Sequence, residues 1–130
     1  MQSTKDFLFD FFSKIKQKGI IDKELIEEIN RVFANKAERV LEVIEKGISK
    51  YVYKPSNRVI WIAMGENSEH IIYPKVYCSC QDFYKNVVIK RKRDYCKHLL
   101  AQVICEALND YKTLELNDVE FSHLINDLEF

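Results

Sequence analysis

Two pairs of side chains stand out in this chain: Cys78 with Cys80, and Cys96 with His98. Structural Zn2+ takes four sulfur or nitrogen donors in a tetrahedron, and three thiolates with one imidazole leave no open position. On an extended strand, residues i and i+2 point to the same side. Cys78 and Cys80 can therefore face one ion from a strand end. Cys96 and His98 cannot both ligate from mid-helix, where two positions lie about 200° apart. Cys96 is expected just ahead of a helix and His98 in its first turn, where the helix N-terminus also favours a thiolate. The reading is one structural Zn2+ held by Cys78, Cys80, Cys96 and His98. Cys105 lies seven residues past His98. Two helical turns, about 10 Å, separate them, so Cys105 reads as a small buried core residue. His70 and His123 each stand among polar neighbours and read as solvent-facing or structural.

Fifteen residues separate the ligand pairs, and they are rich in basic and aromatic side chains. Lys85, Lys90, Arg91, Lys92, Arg93 and Lys97 are opposed only by Asp94, a net +5 over residues 85–97. Cations neutralise phosphates, and rings such as Phe83, Tyr84 and Tyr95 stack on bases. These six basic residues are the candidate DNA contacts. The competing reading is a solvated loop whose charge, Lys97 included, offsets the thiolates. Residues 106–130 carry one lysine against seven carboxylates, a net −6, so the whole-chain charge of +0 conceals two opposed segments. No nucleophile–base pair or phosphate-binding glycine loop is evident. With the metal site closed, an enzyme is not expected.

Elements able to position these residues can be read from periodicity. The 130 residues are 47% hydrophobic with only three Gly and two Pro, which points to a single domain without linkers. Residues 1–47 read as a helical layer. Ser3 or Thr4 caps a helix carrying Phe7, Leu8, Phe11 and Ile15 and ending at Gly19; Asp22 caps a second; a third ends at Gly47. Phe7, Phe11 and Phe12 either complete this core or face a second copy of the chain. Residues 48–109 read as a meander of three or four strands followed by the finger, with turns at Pro55-Ser56-Asn57 and Gly65-Glu66-Asn67. Trp61, Tyr51 and Tyr53 read as sheet core rather than a stacking platform. The segment from Cys96 to Leu108 is helical and apolar on more than one face, and internal burial is preferred to a partner surface. Residues 110–130 read as an acidic C-terminal helix, with Asp118 capping Phe121, Leu124, Ile125 and Leu128. The fold class is thus α+β, with a small antiparallel sheet and a zinc-stapled helix. No apolar run reaches the roughly 18 residues of a membrane span. Early charges argue against a secretory leader. An intracellular protein is expected, cytoplasmic in a prokaryote and nuclear in a eukaryote.

The pattern Cys78-x-Cys80…Cys96-x-His98 matches the SWIM-type zinc finger. Ala101, three residues after His98, extends it to CxHxxA. With Tyr77-Cys78-Ser79-Cys80 and Cys96-Lys97-His98-Leu99-Leu100-Ala101, residues 76–104 resemble the Shu-complex SWIM subunit family. The resemblance implies a non-catalytic factor in homologous recombination. It would pair with a RecA-family recombinase paralogue at single-stranded or forked DNA. It also implies that Ala101 is a small residue letting the finger helix pack closely. The run Lys90-Arg91-Lys92-Arg93 and the acidic C-terminus lie outside that pattern. The alternative is a stand-alone nucleic-acid-binding SWIM finger, regulatory or transposon-derived. A substrate-recognition module for a modifying enzyme is a weaker third reading.

Overall fold

The computed structural model describes residues 4–33, 36–65, 69–93 and 95–127. Three helices come first: α1 (Thr4–Lys18), α2 (Lys23–Val32) and α3 (Ala37–Lys46). Their boundaries follow local chemistry. Gly19 adopts φ +73° and its N–H closes on the Ile15 carbonyl at 2.8 Å, which ends α1. The Asp22 carboxylate accepts from the Leu25 N–H at 2.8 Å, the N-cap that starts α2. Gly47 at φ +113° ends α3. The expected Ser3 cap and the turn at Glu66 and Asn67 lie outside the described residues.

Four strands follow: β1 (Ile48–Lys54), β2 (Arg58–Met64), β3 (Glu69–Tyr73) and the short β4 (Tyr77–Cys78). A π-helix spans Phe83–Ile89, then α4 (Lys97–Leu108), β5 (Lys112–Asn117) and α5 (Asp118–Asp127) complete the chain. The sheet order is β4-β3-β2-β1-β5. Neighbours are antiparallel except β1 and β5, which run parallel with Tyr51 opposite Leu114. The expected antiparallel sheet is therefore a mixed one. The C-terminal helix expected from residue 110 begins only at Asp118. Leu114 and Leu116 alternate as a strand requires, and α4 crosses the sheet face to deliver this segment beside β1.

Both sheet faces are covered. On β2, Trp61 and Ala63 face the core shared with α1–α4, while Ile60 and Ile62 join Tyr53 and Ile71 in a second core under α5. Alternation across a doubly covered strand explains the unbroken buried run of residues 60–63. Tyr53 and Trp61 are core, as expected, and Tyr51 packs against the second cluster. Asp118 does more than open α5. Its carboxylate accepts from the Ser56 hydroxyl at 2.6 Å and the Ser56 N–H at 3.1 Å, tying α5 to the β1–β2 turn.

Helix α4 is the hub. His98 through Cys105 are all buried, with α1 and α3 on one side and the sheet on the other. Its all-round apolar character thus reflects internal burial. Ala101 is fully buried within this core. Phe11 is buried and stacks on Phe7 at 5.6 Å, and Phe7 stacks in turn on Tyr95 at 5.7 Å, so these rings complete the core. Phe12 packs half-buried against the same cluster.

Candidate metal centre

The two ligand pairs reach one point from opposite edges of the core. Cys78 closes β4, opposite Ile72 of β3. Ser79 then anchors the chain twice: its N–H donates to the Ile71 carbonyl at 3.0 Å, and its Oγ accepts from the Ile71 N–H at 2.9 Å. That anchor holds the backbone extended past β3, so the cysteines on either side of it turn to the same side. Cys80 Sγ accepts from the Phe83 N–H, 3.3 Å away, at the start of the π-helix. Cys96 is the N-cap of α4, with extended φ −105° and ψ 174°, and His98 lies in the first turn. This is the placement the spacing required.

The four donor atoms lie within 4.8 Å of one another, and all four residues are buried. Cys96 Sγ stands 3.9 Å from His98 Nδ1. Ligands about 2.0–2.3 Å from a tetrahedral ion would be separated by roughly 3.5–3.8 Å, so no pair of donors needs to close by more than about 1 Å to share one. Electrostatics agree. Hydrogen bonds from Cys78 and Cys96 hold the Cys80 thiol far below its ordinary range. The bond to Cys80, then the bond to Cys96 and burial, drive Cys78 far above it. For Cys96 the Cys78 contact lowers the value, but the bond to Cys80 and burial outweigh it and push the thiol up to about 12. Crowded sulfurs of this kind favour a cation that would neutralise them.

No family model matches the chain, and no solved structure does. Curated relatives do. The chain is 30% identical over 127 residues to the zinc finger SWIM domain-containing protein 7 homolog of Dictyostelium discoideum, covering 95% of this chain and 81% of that protein. This chain belongs to the SWIM domain-containing protein 7 family. It is also 24% identical over 123 residues to the Mus musculus protein of that name, covering 93% of this chain and 81% of the relative. The Homo sapiens protein is 21% identical over 123 residues, covering 93% and 88%. This is the Shu-complex SWIM subunit family that the CxC and CxHxxA spacing resembles.

Around the SWIM finger the basic residues divide into two groups. Lys85, Lys90, Arg91 and Lys92 are exposed, and no carboxylate among the described residues pairs with them. Arg93 is committed elsewhere. Its guanidinium bonds Asp82 at 2.5 Å and lies over the Phe33 ring at 5.1 Å, so it clamps the insert to α2. Asp82 also accepts from the Asn86 amide at 2.7 Å. Lys97 is half-buried in the first turn of α4, beside the ligands. His70 does not stand apart: its ring centroid is 4.7 Å from that of His98, and burial, then His98, lowers its pKa. His70 sits on β3 and meets His98 of α4, a contact that neighbouring residues in sequence do not announce. His123 is exposed on α5. Cys105 is buried in α4, away from the ligand group, as its spacing required.

Proposed function

We propose that this chain is a non-catalytic accessory factor in homologous recombination and DNA repair. In this reading one structural Zn2+ sits on Cys78, Cys80, Cys96 and His98, and the chain pairs with a RecA-family recombinase paralogue. Family membership supports the reading, and the closed Cys3His donor set is the observation that carries it. A fourth protein ligand leaves no position for a reacting water, which fits an adaptor better than a metalloenzyme. The chain's own residues supply the rest. Ser79 and the α4 N-terminus bring the sulfurs together, and α4 carries any change at the site into the core.

The test is co-purification with the RecA-like paralogue encoded in the same genome, alongside a zinc-to-protein ratio. One zinc per chain and a stable complex are expected. Cys96→Ala and His98→Ala are expected to lose the ion and the complex together. A metal-free variant that folds and still binds the paralogue would overturn the mechanism.

A second reading has its own support in the exposed cations Lys85, Lys90, Arg91 and Lys92. In it the finger contacts single-stranded or forked DNA directly. That reading requires DNA affinity without a partner, falling steeply with salt, and its loss on charge reversal at those four positions.

A further inference from the structure

Access to the metal centre is one-sided. A groove of about 550 Å³ lies between β4 and the π-helix, walled by Tyr77, Phe83, Tyr84 and Val88. Of the four ligand residues, Cys78 and Cys80 line it, whereas Cys96 and His98 do not. Cys80 is the more open of the two, at 5% exposed against 1%, while Cys96 and Cys105 are sealed at 0%. The Phe83 N–H, 3.3 Å from Cys80 Sγ, favours negative charge on that sulfur. Accessible thiolates are the sulfurs that two-electron oxidants attack first.

Backbone geometry then selects the second sulfur. A disulfide needs Cα atoms about 4.4–6.8 Å apart. Residues i and i+2 of an extended strand stand about 6.4–6.8 Å apart, at the limit of that range. Cys78 and Cys80 flank Ser79, whose two bonds to Ile71, at 3.0 and 2.9 Å, hold the chain extended. Drawing these two cysteines together would strain that anchor. Cys96 carries no such restraint. It belongs to a separate segment, at the N-cap of α4, and its sulfur lies in the same group of donors within 4.8 Å of one another.

We propose that Cys80 is an oxidation site for hydrogen peroxide entering through this groove, and that it resolves into a disulfide with Cys96 that expels the metal. The proposal rests on the ligand assignment in the reading above and adds a regulated state to it. In the first step the Cys80 sulfur attacks the peroxide: an S–O bond forms, the O–O bond breaks and hydroxide leaves. In the second the Cys96 sulfur attacks Cys80: the S–S bond forms, the S–O bond breaks and a second hydroxide leaves. Two thiolates together lose two electrons, and the peroxide gains them. Cys78 and His98 are then the remaining donors, too few for a structural Zn2+. The disulfide keeps the β4 end and the α4 N-terminus side by side, so a dithiol reductant restores the site.

Titrating the zinc-loaded full chain with hydrogen peroxide, beside a chromogenic chelator, tests this. Zinc release should track the loss of two thiols, and peptide mass mapping should find Cys80 joined to Cys96. Differential alkylation should show Cys80 oxidised about tenfold or more faster than Cys105. Dithiothreitol with added zinc should restore the starting metal content. Val88→Trp, which narrows the groove at a half-exposed wall position, should slow oxidation severalfold at unchanged zinc stoichiometry. A Cys78–Cys80 or Cys78–Cys96 bridge, Cys105 oxidised as fast as Cys80, or a Val88→Trp rate equal to wild type would each overturn the proposal. Zinc that stays bound under peroxide would sink it while leaving the ligand assignment standing. A folded chain that never takes up zinc would remove both.

Discussion

The four cysteines do two different jobs despite sharing one chemistry. Cys78, Cys80 and Cys96 crowd around one point, whereas Cys105 is sealed in α4, where burial pushes its thiol up to about 12. A raised folded-state pKa means that stability is present below the unfolded value near 9.0 and lost as pH rises through about 12. Urea unfolding should therefore show alkaline destabilisation over that window. Cys105→Ala should remove that component while keeping one metal per chain. Arg93 makes a second residue-scale prediction. Arg93→Ala should lower stability by about 1 kcal/mol, because it breaks the bond to Asp82 and uncovers Phe33. Arg91→Ala should leave the urea midpoint unchanged. The ligands were legible in sequence because their spacing is local. Arg93 was not, since its charge looks the same as its neighbours' until the π-helix returns it to Asp82, eleven residues away. Ser79 was likewise invisible, because its partner Ile71 belongs to another strand.

At the scale of elements, the N-terminal helices and strands β1–β4 carry strong periodic signals and clear stops at Gly19 and Gly47, and both were readable. Strand β5 was not. Six residues with only two apolar positions, inside an acidic stretch, resemble a polar helix start. Only pairing beside β1 gives their alternation meaning. The second core beneath α5 depends on this placement. Deleting residues 118–130 should uncover Tyr53, Ile60, Ile62 and Ile71 and remove the Asp118–Ser56 tie. The shortened chain is expected to bind a hydrophobic dye and to aggregate, since large apolar patches are association sites. Retained metal stoichiometry would show that this face and the finger are separable.

At the scale of the whole molecule, metal and fold are linked through α4, which carries two ligands at its N-terminus and contacts α1, α3 and the sheet along its length. Protons on Cys78 and Cys96 must leave before their sulfurs can ligate. Metal affinity should therefore weaken as pH falls, about tenfold per pH unit for each displaced proton. Competition with a chromogenic chelator across pH 6–8 would measure it, and a pH-independent affinity would contradict the ligand assignment. Among the described residues no helix is long and apolar enough to cross a membrane.

The sheet order has a consequence during synthesis. Strand β1 leaves the ribosome early, yet its outer neighbour β5 is encoded some sixty residues later. Until residue 117 has emerged, the nascent chain presents β1 with one side unclaimed, a ready template for pairing with another chain. Synthesis of residues 112–117 is thus the step that covers this edge. Chains truncated between residues 109 and 112 should be recognised by chaperones and proteases, even though their finger is fully encoded.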